Sequence, residues 1–199
     1  MLKVTCQPLT REQMPEFLAF IEGEAFSDNP RWSACYCVFH YLNDQDDGNW
    51  AERGPGINRA ELQNRVAEGT GTWIVAYGHG QIVGWVNADL RPRLSRYDEW
   101  QVPSDPDTGV VACFVVHPQL RRQGIASQLL AAAQDHLRGL GAARVEAYVV
   151  TDPEQSSDDN LSYEQLAHHG PLPMYVAAGF QVGESRDGIT RVVKAFGAG

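Results

Sequence analysis

Apolar residues at Met14, Phe17, Leu18, Ile21 and Ala25 recur at three- and four-residue spacing, which predicts an amphipathic helix from Thr10 to Phe26. Thr10 and Gln13 form a capping-box pair at its start. A short strand, Leu2 to Gln7, precedes it. After the turn signal Asp28-Asn29-Pro30 comes an aromatic-rich segment, Trp32 to Leu42, read as helical, in which Trp32, Tyr36 and His40 would share one face. Asn58 is placed to cap a helix from Arg59 to Ala67. The pattern then changes to strands. Thr72 to Tyr77 and Gln81 to Asp89 flank Gly78-His79-Gly80, which predicts a hairpin. A loop rich in Arg and Pro, Arg91 to Asp107, leads to the most apolar run of the chain, Val110 to Val116, which predicts a central strand ended by His117-Pro118.

Beyond that strand, Ile125, Leu129, Ala133, Leu137 and Leu140 fall on one helical face, closed by Gly139 and Gly141. Ala143 to Val150 predicts a further strand, followed by an acidic loop from Thr151 to Ser162. A short helix around Tyr163 to His168, another from Leu172 to Ala178, and strands near Phe180 to Gly183 and Thr190 to Phe196 complete the order. Strands interleaved with helices predict a single α/β (α+β) domain over residues 1–199, with no internal repeat.

Composition narrows the classes. At 199 residues and 43% hydrophobic, the chain can bury a full core. A net charge of −9 argues against a general affinity for nucleic acid or for anionic lipid. Leu2 to Thr10 does not resemble a secretory signal and no stretch approaches membrane-spanning length, so the expected address is cytoplasmic. Four irregularly spaced cysteines, Cys6, Cys35, Cys37 and Cys113, are too few for a disulfide framework and are expected as free thiols. Cys35, Cys37 and His40 match no common zinc spacing and lack an obvious fourth ligand, so no metal site is assigned. A metal-binding or redox protein using Cys35 and Cys37 remains as a reading of a different class.

The junction from the Val110–Val116 strand through Arg121-Arg122-Gln123-Gly124-Ile125-Ala126 into a helix carries the chemistry. A helix start offers unpaired N–H groups and the positive end of the helix dipole, an environment for phosphate. Gly124 and Ala126 leave room for a diphosphate to reach those amides, and Arg121 and Arg122 add charge. The turn is neither a Walker loop nor a dinucleotide fingerprint. It also reads as an ordinary loop with two solvated arginines.

The run Val115-Val116-His117-Pro118, then Arg121 to Ala126, then Tyr175 to Phe180 (YVAAGF), resembles the GNAT superfamily of CoA-dependent N-acetyltransferases. The resemblance is specific from about Thr72 to Gly183 and weaker before that. It implies a mixed central sheet of about six to seven strands flanked by helices, with strands splayed around an acyl-CoA, and a cytoplasmic transferase that uses acetyl-CoA as co-substrate and no metal. By similarity the cofactor would be held by Phe114, Val115 and Val116, the backbones of Phe114 and Val116 bonding pantetheine, and by Arg121, Arg122, Gln123, Gly124, Ile125, Ala126 and Ser127 at the diphosphate. Tyr175 would be the catalytic acid that protonates the CoA sulfur; it also reads as a core aromatic on a short helix. Ala126 stands where many members have glycine, and His168 where many have asparagine.

The resemblance implies an acceptor that is a small-molecule or protein amine, and a homodimer is compatible with it; from the charge balance, neither nucleic acid nor membrane is expected as partner. The position where some members carry a strand glutamate is Val110 here. Asp89 and Glu146 remain as candidate bases, each also readable as an outward-facing solvated residue, and no base is assigned. His117 before Pro118 reads as structural. Trp32, Tyr36 and His40 could wall the acceptor side or serve as core packing. The alternative to an enzyme is an acyl-CoA-binding sensor or scaffold of the same fold without turnover.

Overall fold

A computed structural model describes residues 1–45, 47–99, 102, 105–152 and 167–197. Seven strands form one mixed sheet in the order β1-β2-β3-β4-β5-β7-β6. In chain order these are β1 (Thr5–Pro8), β2 (Trp73–Gly78), β3 (Gln81–Leu90), β4 (Thr108–Val116), β5 (Arg144–Val150), β6 (Gln181–Arg186) and β7 (Ile189–Ala195). All neighbours are antiparallel except β4 and β5. The helices are α1 (Met14–Glu22), α2 (Pro55–Glu68), a single turn α3 (Arg96–Glu99), α4 (Ile125–Gly139) and α5 (Leu172–Ala177).

Each face of the sheet buries its own core. On one side α1 and α2 contribute Phe17, Ile21 and Leu62, packed on Trp73, Val75, Trp85, Val110 and Cys113. On the other, Ile125, Leu129, Ala133 and Leu137 of α4 and Tyr175 of α5 cover Ile74, Val86, Val111, Phe114 and Ala147. The α4 stripe is the one its periodicity predicts, apart from Leu140, which lies past the helix end and is partly exposed. β4 is buried on both faces, as its unbroken apolar run requires.

Three local expectations are corrected. Asn58 does not cap α2, because the helix begins at Pro55, whose fixed φ and missing N–H suit a first-turn position. Asn58 is instead buried in the helix, its Nδ2 donating to the Ala34 carbonyl (2.9 Å) and its Oδ1 accepting from Arg53 Nε (3.0 Å). At α1, Gln13 reaches back to the Thr10 N–H (2.9 Å), half of the capping box, but the α-helix begins only at Met14. Trp32, Tyr36 and His40 do not share a helix face. Their segment is two 3-10 turns, Pro30–Cys35 and Phe39–Tyr41, separated by Tyr36 and Cys37 at φ of 50° and 53°.

The first strand starts later than expected because residues 2–4 are engaged elsewhere: Leu2 N–H donates to the Gln123 carbonyl, and Gln128 bonds both the Leu2 carbonyl and the Val4 N–H. The acidic loop beyond Asp152 and the short helix around Tyr163 lie outside the described residues, except for a 3-10 turn at Ala167–His169.

Candidate functional site

β4 and β5 pair only from Thr108↔Arg144 to Val111↔Ala147, although β4 continues to Val116 and β5 to Val150. The cause of the parting is visible in β4 itself. Its register with β3 jumps between Asn87↔Cys113 and Ala88↔Val111, so Ala112 is an extra residue, a β-bulge that bends the strand. The bulge also shifts the facing pattern: Val110, Cys113 and Val115 face the α1/α2 layer, and Val111, Phe114 and Val116 the α4/α5 layer. A wedge therefore opens between two central strands.

Backbone direction in the wedge follows from the register. The His117 N–H donates to the Val83 carbonyl (2.9 Å), so His117 points its polar groups at β3. Alternation then turns those of Val115 toward β3 and those of Phe114 and Val116 away from it, into the wedge. The two residues the resemblance gives to pantetheine are thus the two whose backbone groups are aimed there. Val115, between them, contributes its side chain to the opposite core.

The wedge leads to the start of α4. Gly124 is the residue before that helix, at φ +82°, and no side chain caps the N-terminus. The first-turn N–H groups of Ile125, Ala126 and Ser127 have no intrahelical acceptor and mark the positive end of the dipole. Arg121, Arg122, Gln123 and Ser127 are exposed around them, and Arg122 adds a second left-handed residue (φ 63°). Arg121 donates to the Val116 carbonyl (3.3 Å) and pairs with Asp28, with Nη2 3.1 Å from Oδ1. The residues expected at the diphosphate therefore converge on one turn at the start of α4, with Arg121, Arg122, Gln123 and Ser127 facing solvent. Gln128 and Asp28 brace this turn; the sequence marks Asp28 only as part of the Asp28-Asn29-Pro30 turn signal and Gln128 not at all, and neither was assigned to the site.

Tyr175 is fully buried at the α4/α5 side, edge-on to Phe114 and Phe180. Its hydroxyl donates to the His169 carbonyl (2.7 Å), and burial pushes its phenol far above the ordinary value, so it stays protonated. His169 lies against the backbone of Ala112, and the turn that carries it contacts both β4 and β5. Tyr175 is thereby tied to the point where the strands part.

On the opposite face the aromatic segment divides. Tyr36 turns into the core, its hydroxyl on Glu22 (3.1 Å). Trp32 meets His168 (5.3 Å between rings), and His40 stacks on Tyr97 (5.6 Å) and approaches His169 (6.2 Å). Burial pushes His40 down to about 3, and the same cause holds His169 well below the usual range. Arg96 lies over Phe39 and pairs with Asp44 (2.9 Å), and the fully buried Arg91 pairs with Asp98 (2.9 Å). Ser95, Arg96 and Tyr97 of the 91–107 stretch are therefore packed against the Trp32–Tyr41 segment.

Neither candidate base is free. Asp89 is fully buried and accepts from Arg93 (3.2 Å), the Leu90 N–H (2.8 Å) and the Tyr41 hydroxyl (3.3 Å), with burial raising its carboxyl. Glu146 accepts from the Tyr148 hydroxyl (2.9 Å) and from Arg191 (2.7 Å). Neither is a solvated surface group. His117 is structural: its Nδ1 accepts from the Gln119 N–H (3.2 Å) and its ring stacks on Phe20. All four cysteines are free, and among the described residues no group of three or more His, Cys, Asp or Glu is placed to hold a metal.

This arrangement can be compared with known proteins. Among solved structures, the chain is similar to the PaiA N-acetyltransferase of Thermoplasma acidophilum in complex with coenzyme A (12% identity, TM-score 0.55, covering 98% of this chain and 100% of that one). It is also similar to the GNAT domain of S. lividans PAT (17%, TM-score 0.60, 97% and 90%) and to a ribosomal-protein-alanine N-acetyltransferase of Brucella melitensis (14%, TM-score 0.56, 96% and 99%). At these identities the likeness is one of fold. No curated protein matches. A sequence model of the Acetyltransferase (GNAT) family matches residues 15–159, which span well over half of the chain and include the bulged β4 and the whole Arg121–Ser127 turn. On that match, the chain belongs to the GNAT acetyltransferase family.

Proposed function

We propose that the chain moves an acetyl group from acetyl-CoA to a primary amine by direct attack of the amine on the thioester. The observation that carries this reading is the wedge between β4 and β5, which runs onto an uncapped helix start and receives the backbone groups of Phe114 and Val116. A pantetheine arm suits such an edge, parted from β5, where it can take the place of an added strand. Its diphosphate suits Arg121, Arg122, Gln123, Gly124 and the amides of Ile125, Ala126 and Ser127.

Acetyl-CoA supplies an activated carbonyl and a thiolate leaving group. The residues of the chain supply orientation and a proton. Tyr175, held protonated, is the donor assigned to the leaving sulfur. Asp89 and Glu146 are committed to ion pairs, so bound water carries away the proton of the amine. Trp32, His40 and Tyr97 wall the acceptor side, where a cationic amine is also favoured by the acidic balance of the molecule.

A second reading, an acyl-CoA sensor without turnover, is favoured by one observation: the Tyr175 proton is already given to the His169 carbonyl. Calorimetry with acetyl-CoA, followed by thiol release across a panel of small amines and peptide N-termini, separates the two. Heat of binding with CoA release is expected. Binding with no release from any amine would favour the sensor, and no heat at millimolar acetyl-CoA would remove both.

A further inference from the structure

Cys37 and Cys113 stand 76 residues apart in sequence, yet their sulfurs lie 3.3 Å apart. Both are buried, at 3% and 7% exposure, where β4 meets the segment between α1 and α2. The position of each is imposed by the backbone. Cys113 follows the Ala112 bulge, which turns its side chain toward the α1/α2 layer, and Cys37 is the second of two consecutive left-handed residues. The Trp85 indole N–H donates to the Cys37 sulfur (3.3 Å), which fixes its orientation and leaves its S–H for Cys113. The acetyl-transfer chemistry has no use for either thiol.

A disulfide needs its sulfurs at about 2.05 Å, so a further approach of about 1.3 Å separates this contact from a bond. We propose that Cys37 and Cys113 form a reversible disulfide under a peroxide, fastening the acceptor-side segment to the strand that borders the wedge. The Cys37 thiolate attacks one peroxide oxygen and the O–O bond breaks, giving a sulfenic acid at Cys37 and hydroxide, which leaves as water with the thiol proton. The Cys113 sulfur then attacks the sulfenic sulfur and expels its oxygen as a second water. Two thiols lose two electrons and hydrogen peroxide is reduced to two waters. The Trp85 indole N–H orients the Cys37 sulfur, and the contact with Cys37 together with burial holds the Cys113 thiol well above its ordinary range, so Cys113 enters the second step as the thiol. Hydrogen peroxide is close to water in size, which suits a buried pair, and burial makes the reaction slow.

The inference is independent of acetyl transfer, so its failure leaves that reading untouched. The test is exposure of the folded wild-type chain to hydrogen peroxide, with thiol titration, non-reducing peptide mapping and melting. The expected result is a fall from four titratable thiols to two, a Cys37–Cys113 cross-linked peptide pair, and a Tm raised by several degrees through closure of a long loop, all reversed by dithiothreitol. Cys35→Ser should leave the cross-link in place and Cys113→Ser should remove it. A Cys35–Cys37 bridge, or oxidation of Cys6 and Cys35 while Cys37 and Cys113 remain alkylatable after unfolding, overturns the proposal; the wild-type map decides this even if Cys113→Ser fails to fold.

Discussion

The proposed chemistry rests most heavily on Gly124 and Tyr175, and each can be tested by a single substitution. Any side chain at Gly124 meets the cost of φ +82°, on the order of 1 kcal/mol, and its Cβ would fall 2.7 Å from the flexible side chain of Met1, which can move aside. Gly124→Ala is therefore expected to weaken acetyl-CoA by no more than about tenfold, which corresponds to about 1.4 kcal/mol. Gly124→Glu carries the same strain but sets a carboxylate at an anion site, and calorimetry should find binding lost. Equal effects of the two variants would mean that backbone strain, rather than charge at the helix start, explains the loss. Tyr175→Phe keeps the ring contacts with Phe114 and Phe180 and removes only the proton donor. Loss of its hydrogen bond to the His169 carbonyl should cost about 1 kcal/mol of stability. If the phenol protonates the departing sulfur, kcat should fall on the order of 100-fold while the Kd for acetyl-CoA changes little. An unchanged kcat would reduce Tyr175 to a strut for the turn that carries His169.

At the scale of elements, the segment between α1 and α2 is anchored through Asn58, whose two hydrogen bonds join Ala34 on one side to Arg53 on the other. Asn58→Ala leaves the half-buried Ala34 carbonyl and the Arg53 Nε without their Asn58 partner, and urea unfolding should show a loss of about 1 to 2 kcal/mol. A loss near zero would show that these bonds are replaced by water. The sequence assigned Asn58 to a cap because Asn before an apolar repeat is a common helix start, while Pro55 carried the stronger start signal. Other elements were readable from local chemistry. The Val110–Val116 run, the α4 stripe and the hairpin at positions 78–80 each announce themselves in fewer than 20 residues. The hairpin joining β6 and β7 was missed: the strand expected to end near Gly183 runs to Arg186, although Asp187 and Gly188, at φ of 49° and 76°, make a two-residue turn with a strong sequence signal. What could not be read is long-range. The bulge at Ala112 shows only in the pairing of β4 with β3, and the commitment of Asp89 and Glu146 only when Tyr41 and Arg191 are folded against them. The same holds for the break at Tyr36 and Cys37: helical spacing of Trp32, Tyr36 and His40 was a true property of the sequence, overridden once Tyr36 reached Glu22 and Cys37 reached Cys113.

For the molecule as a whole, the buried histidines make stability depend on acidity in a defined direction. His40 has a folded value of about 3 against an ordinary 6.5, because burial and the neighbouring His168 and Arg96 oppose its charge. Between those values the unfolded chain binds a proton at His40 that the folded chain refuses, so stability must fall as pH falls from about 6.5 and level off near 3. His169 and His136 are lowered as well and act in the same direction. Asp89, whose carboxyl is raised by burial, acts in the opposite direction: as pH falls through its raised folded value toward the ordinary carboxylate value, the folded form takes up a proton that the unfolded form does not, which adds stability. From pH 7 to pH 5 His40 alone accounts for a loss of about 2 kcal/mol, and His169 and His136 add to it. Urea midpoints across that interval should fall steadily in the wild type. His40→Phe keeps an aromatic ring beside Tyr97 and Phe39 and removes the titrating nitrogen, so its midpoints should fall less steeply even if the variant begins from a lower stability at pH 7. An unaltered slope would mean that the acid sensitivity arises from groups other than His40.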